Sequence, residues 1–406
     1  MIVPEILDQK FFENVLKSGL QLKEVQVTNL DITLGAAPGD NYCSTIYRAV
    51  ISYRENDDEI KTSRVIVKYM PKDEMSGAVL ARCKVFEKEV KMLDKFLPRL
   101  SELASGVKFG AKFYSKFEND TVSVIVMEDL STNGYRMADR QLSLNRDHCA
   151  IVLKKLGKLH AASMLLFKEE PSIHDIYDFG LVEGSIENPG ICQAILSEHF
   201  PAICENVKTW EGFEDIHKKL EKFKPNLWKR IYECVSRDYD GFRVLNHGDF
   251  WVNNFLFKYD EESEKPLDCI LVDFQFTYFS TPAHDLQYFF GTSASPEMGV
   301  HEQEGLLLEY YATFKDVLES SKYPKIPTLD DLQKEMSKRL LYNLFASTHV
   351  LPFVLMERQS EKGNGLDGLL DESTKRDMLQ ISMSGKRFVE VTKINMKRFD
   401  KVSLFD

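Results

Sequence analysis

Between Leu22 and Tyr69 apolar and polar residues alternate in three stretches rich in β-branched side chains, Leu22 to Leu34, Ser44 to Arg54 and Ser63 to Tyr69. A period of two is the mark of strands with one buried face. Turn residues part them, Gly35 to Asn41 and then Glu55 to Asp58, so the three predict an antiparallel meander. From Ala78 to Phe96 the spacing changes. Val79, Cys83, Phe86, Val90, Leu93 and Leu97 recur at steps of three and four, one face of a helix, with Pro98 expected to end it. Two further strands are predicted at Lys108 to Phe117 and Val122 to Met127, joined by Glu118-Asn119-Asp120. Residues 20–128 thus read β-β-β-α-β-β.

Beyond Leu130 the pattern becomes helical, first over Asn145 to Phe167 and later over residues 302–320, 329–358 and 372–398, while Pro171 to Pro225 mixes helix and loop signals. One β-rich stretch interrupts it: Arg243 to Leu245, Asn254 to Lys258 and Cys269 to Phe274. The expected class is α+β, with a boundary near residue 131 dividing a sheet-bearing unit, 1–130, from a mostly helical one, 131–406.

Composition narrows the partners. The 406 residues carry 63 acidic and 52 basic side chains, a net charge of −11, which repels nucleic-acid backbones and confines any phosphate site to a local feature. Seven scattered cysteines form no C-x-x-C pair, and the first ten residues have acids where a signal peptide has a basic start. No apolar run approaches the 18 or so residues that span a bilayer. A cytoplasmic monomer with reduced thiols, engaging neither membrane nor nucleic acid, is expected.

The chemistry concentrates in His247-Gly248-Asp249-Phe250-Trp251-Val252-Asn253-Asn254, followed 19 residues after Asn254 by Asp273-Phe274-Gln275 at the end of an apolar strand. Phosphoryl transfer needs a carboxylate to position an attacking hydroxyl and oxygen ligands to hold magnesium against phosphates. Asp249 fits the first task. Asn254 and Asp273 fit the second, because a hairpin-like connection brings them to one end of a sheet. Taken singly, each residue also suits a turn or a buried loop; the joint pattern does not. A zinc reading of His247 and Asp249 lacks a second His or Cys at ligand spacing.

These stretches, with the downstream Asp285-Leu286, resemble the ecdysteroid kinase-like (CHK kinase-like) family of insects and other invertebrates, in the aminoglycoside phosphotransferase and choline kinase branch of the protein-kinase-like fold. The resemblance runs from about residue 30 to residue 390 and is sharpest over 245–290. It implies a bilobal fold, with ATP and magnesium as cofactors. It also implies that Lys68, ending Val65-Ile66-Val67, contacts the α and β phosphates and that Glu89 pairs with it, Glu87 being the nearby rival. Asn41 and Ser44 fall where the family has its phosphate-covering loop. Glu128, Asp129 and Leu130 fall at the hinge whose backbone pairs with adenine. Asp285 takes the place of the structural aspartate, supporting the catalytic loop together with His247. His160 reads as a satisfied core histidine.

The 12 residues from Asp273 to Asp285 leave no room for a peptide-binding activation segment, so the expected acceptor is a hydroxyl of a small molecule. Aromatic candidates for its pocket are Trp210, Phe213, Trp228, Tyr288, Phe289, Tyr342, Phe345, His349 and Phe353, which suit a flat apolar alcohol such as an ecdysteroid or a xenobiotic. Gln275 replaces the glycine of the protein-kinase Asp-Phe-Gly. Two rivals stay open: a catalytically idle relative that binds a hydrophobic ligand, and a protein kinase.

Overall fold

The computed structural model describes residues 3–36, 44–56, 59–72, 75–238, 240–356 and 366–406. Its first half contains a five-stranded antiparallel sheet, β1 (Gln26–Leu34), β2 (Thr45–Arg54), β3 (Lys61–Pro71), β4 (Phe113–Glu118) and β5 (Val122–Glu128), in the order β1-β2-β3-β5-β4. The register pairs Ile46 with Lys68 and Lys68 with Ile125. Alternation then sorts the side chains. Tyr47, Ala49, Val65, Val67, Val124 and Val126 fall on one face, and Ile46, Arg48, Ile66, Lys68 and Met127 on the other. A helix, Gln9–Leu20, covers the first face with Phe12, Val15 and Leu16, its first turn capped by Asp8. This helix is absent from the elements expected above. The second face lines a cavity.

The helix expected over Ala78 to Phe96 exists with different punctuation. It runs as Met75–Arg82, breaks where Lys84 takes a left-handed φ of 54°, resumes at Val85–Lys91, widens to a π-turn over Met92–Phe96 and continues as Leu97–Leu103. Pro98 does not end it. The π-turn closes with the Leu97 N–H on the Met92 carbonyl, which leaves Pro98 in the opening turn of the next α segment, where its missing donor is not needed. Pro352 follows a second π-turn, Ala346–Val350, in the same way.

In the second half, β6 (Tyr135–Met137), β8 (Phe255–Tyr259) and β9 (Pro266–Leu271) form one small sheet, and β7 (Val244–Asn246) pairs with β10 (Tyr278–Ser280) in another. Around them lie helices, the long Arg146–Glu169 packing against Val300–Ser320. The expected helix over 329–358 is interrupted at Arg339 and by the second π-turn, and that over 372–398 is split at Gly385. Six described cysteines are buried and unpaired; Cys43 lies outside the described residues. Among the described residues no helix is long and apolar enough to cross a membrane. The α+β class is as expected.

Candidate active site

Lys68 stands on the cavity face of β3, 4% exposed, and its Nζ lies 2.6 Å from Glu89 Oε2 and 2.6 Å from Asp273 Oδ1. Residues 21 and 205 positions away in sequence thus share one ammonium group. Burial works against the charge on Lys68, but Asp273 and then Glu89 outweigh it and hold the group above its ordinary range. Glu89 is pushed up to about 7 by its own burial, only partly offset by Lys68, with the charge of Asp273 adding to the push. Glu87 is exposed and pairs with Lys91 at 2.7 Å. The geometry therefore gives Lys68 to Glu89, not to its rival.

The loop between β7 and β8 is fixed by its backbone. Gly248 has φ of 85°, and a Cβ there would lie 2.0 Å from the Phe276 carbonyl oxygen, so only glycine fits. Asp285, at the start of the helix Ala283–Thr292, accepts the His247 N–H at 2.7 Å and the Gly248 N–H at 2.9 Å. The His247 ring donates from Nε2 to the Val272 carbonyl at 2.9 Å. Behind Asp285 stands His160, Nε2 3.2 Å away and Nδ1 2.8 Å from Tyr310 Oη. His160 is the core histidine expected, and it braces Asp285.

Three positions along the same helix, Tyr288 donates its hydroxyl to Asp249 Oδ1 at 2.6 Å. Trp251 Nε1 and Asn254 Nδ2 donate to Asp249 Oδ2 at 3.2 and 3.1 Å. One helix face thus holds the loop through Asp285 and the carboxylate through Tyr288. Burial, with the charge of Asp273 adding, pushes the Asp249 carboxyl up to about 6. Neither Tyr288 nor Trp251 was singled out for this contact, because an aromatic residue on an apolar helix or loop reads as core.

Asn254 and Asp273 converge through the hairpin. β8 pairs Phe255 with Leu271, so the residues flanking the pair are neighbours, and the Val272 N–H bonds the Asn254 carbonyl at 3.0 Å. Asp273 then turns with a left-handed φ of 66°, its Oδ2 accepting from Gln275 Nε2 at 3.2 Å. Both residues line two cavities. The larger, about 430 Å³, also contains Lys68, Glu89, Arg48 and the end of β5; the smaller, about 180 Å³, contains Asp249. Asn253, also in the larger cavity, has a buried Oδ1 with no partner.

Glu128, Asp129 and Leu130 all line the larger cavity. The Glu128 N–H is already held by the Lys112 carbonyl, and its carboxylate by Lys108. Asp129 caps the turn at Ser131 and meets Arg48 Nε at 2.8 Å, a contact the sequence did not suggest. Ser44 lines the smaller cavity, not the larger. Asn41 lies outside the described residues. Of the nine aromatic candidates only Tyr288, His349 and Phe353 reach the smaller cavity. The others pack elsewhere, Trp210 against Phe213 for example, and the walls are mainly aliphatic: Val79, Leu80, Leu181, Ile191, Ile195 and Leu196.

Among curated proteins none matches the chain. Similar solved structures include an aminoglycoside-3'-phosphotransferase of type VIII, with 16% identity and a TM-score of 0.33, covering 82% of this chain and 99% of that one. Another is an aminoglycoside phosphotransferase from Streptomyces rimosus, with 14% identity and a TM-score of 0.31, covering 82% and 98%. The same protein in complex with ADP and streptomycin matches at 13% identity and a TM-score of 0.32, covering 76% and 94%. The model of the ecdysteroid kinase-like family matches residues 38–323, more than two thirds of the chain, and spans β2 to β10 with Lys68, Glu89, Asp249, Asn254, Asp273 and Asp285. With the lysine, the paired glutamate and the braced loop all inside that match, the chain belongs to the ecdysteroid kinase-like family.

Proposed function

We propose that this chain is an ATP- and magnesium-dependent O-phosphotransferase that acts on a hydroxyl of a hydrophobic small molecule, such as an ecdysteroid or a related steroid or xenobiotic alcohol. The reading takes it as a cytoplasmic monomer, residues 1–130 covering the nucleotide and 131–406 carrying the loop, the metal ligands and the acceptor pocket. One observation carries it: two adjoining cavities share Asn254 and Asp273, with Lys68 on one side and Asp249 on the other.

In this reading ATP occupies the larger cavity, the end of β5 facing its base and Lys68 its phosphates. Glu89 keeps Lys68 extended. The donor set fits magnesium, which is held by one or two carboxylates together with phosphate oxygens and water. Asn254 commits Nδ2 to Asp249 and so keeps Oδ1 for a cation, and Asp273 supplies carboxylate oxygen. Bound magnesium would neutralise charge on the phosphates. Asp249, oriented by three donors, takes up the acceptor's hydroxyl and its proton. Most of the acceleration comes from positioning and charge compensation.

The smaller cavity suits an apolar alcohol because its walls are mainly apolar and Asp249 stands among them, beside Asp273. At about 180 Å³ it holds a small alicyclic alcohol as it stands; a tetracyclic skeleton requires its walls to part. The test is transfer of label from γ-labelled ATP to a panel of steroid and xenobiotic alcohols, with Asp249→Asn as control. Transfer that falls by about 100-fold in the variant while ADP still binds supports the reading. Nucleotide binding without transfer to any alcohol would leave an idle ligand-binding relative instead, and transfer to added protein would favour a protein kinase.

A further inference from the structure

His349 lines the smaller cavity on the second π-turn, Ala346–Val350, and its ring is fully buried. Turns of this kind interrupt regular helices and are frequent at binding sites. The hydrogen bonds around the ring fix its tautomer. Nδ1 lies 3.1 Å from the Phe345 carbonyl, which can only accept. It also lies 2.8 Å from Thr348 Oγ1, whose own proton is directed to the Leu344 carbonyl at 2.7 Å, so that oxygen too is an acceptor. Both neighbours therefore require the proton on Nδ1. Nε2 is left as a bare lone pair, buried and without any partner. Burial holds the imidazole down at about 4, so the ring stays neutral and Nε2 stays an acceptor.

The lining is mostly apolar, with the His199 ring, its own nitrogens unpartnered, stacked on that of His349 at 5.9 Å, and a buried acceptor in such a place is unfavourable unless a donor reaches it. Asp249 and His349 are then two polar groups of a lining that also carries Ser44, Asn254, Asp273 and Gln275, with aliphatic side chains between them. We propose that His349 determines specificity by accepting a hydrogen bond, through Nε2, from a second hydroxyl of the acceptor, so that the preferred substrate is an apolar diol with only one hydroxyl presented to Asp249. The inference rests on the smaller cavity being the acceptor site. Trp228, whose Nε1 is also buried without a partner, stands with its ring 5.6 Å from that of His349, and no bond joins them. A shift that joined the two would satisfy both and remove the need for a diol.

The experiment is equilibrium binding of small alicyclic diols that fit the cavity as it stands, and of steroid diols, each beside its two mono-deoxy counterparts, by calorimetry on the full chain without nucleotide. The wild type is expected to bind at least one diol about tenfold more tightly than the counterpart lacking the second hydroxyl. His349→Phe, which keeps a ring but no acceptor, should bring the two within about twofold, while His349→Gln, which restores an acceptor, should keep part of the preference. If no diol binds more tightly than its counterparts in the wild type, the proposal falls, whatever the variants do. An unchanged tenfold preference in His349→Phe overturns it equally. Because the readout is binding, failure of phosphoryl transfer with every compound would remove the kinase reading and leave a measured diol preference standing.

Discussion

The two cavities that meet at Asn254 and Asp273 are built from different material. On one side charged groups stand among apolar strand residues such as Ile46, Ile66, Met127 and Leu256, with Lys68 between two carboxylates and Arg48 on Asp129. On the other, aliphatic side chains drawn from residues 79–83, 181–196, 350–353 and 369 close around Asp249. Strand register and one hairpin fix the first, so its residues keep their spacing wherever the fold is kept. The second depends on how separate helices pack, and a change in any of them alters its shape without touching the charged side. On the proposed function, donor chemistry and acceptor choice are therefore separable.

Breaking the charged side should have the largest effect. Lys68→Met leaves Glu89 and Asp273 facing each other without a cation, and a loss of about 3 kcal/mol in unfolding free energy is expected in denaturant titrations, together with loss of ADP binding. Asp249→Asn keeps shape and fold; turnover should fall by about 100-fold or more with the ADP dissociation constant unchanged, measured by label transfer and calorimetry. The pH profile sharpens the same point. With Asp249 proposed to take up the acceptor's proton, its ionised form is the active one, and burial followed by the charge of Asp273 raises its carboxyl to about 6. Hence kcat/KM should drop as pH falls through about 6, some two units above an ordinary aspartate, and a profile flat down to pH 5 would contradict the assignment. On the apolar side the effect is smaller and confined to the acceptor. Ile191→Ala removes part of the wall and should raise the acceptor KM about tenfold, with the KM for ATP within twofold.

The same division governs what was legible in the sequence. Period-two alternation placed the first three strands of the large sheet, the turn Glu118-Asn119-Asp120 marked the hairpin of the other two, and the family resemblance pointed to Lys68, which register carries to the cavity face. His247 to Asn254 and Asp273 were legible because a short hairpin leaves their relative positions little freedom. The helix Gln9–Leu20 was missed although Phe12, Val15, Leu16 and Gly19 share one face, a short signal beside the strands that follow. Pro98 misled because a π-turn absorbs its missing donor. The contact of Tyr288 with Asp249 and the bond of His160 to Asp285 join elements 39 and 125 residues apart, and no local pattern records such a meeting. Trp210, Phe213, Trp228, Phe289, Tyr342 and Phe345 were drawn to the acceptor pocket by their chemistry, yet aromatic bulk serves packing as readily as recognition, and all six pack away from the smaller cavity.

Magnesium dependence of ADP binding, measured by calorimetry in the wild type, Asp249→Asn and Asp273→Asn, separates the two carboxylates most directly. If Asp273 serves the nucleotide side and Asp249 the acceptor side, Asp249→Asn will keep the wild-type gain in affinity on adding magnesium, and Asp273→Asn will lose it. Equal loss in both variants, or loss in Asp249→Asn alone, would contradict the division of labour between the two cavities.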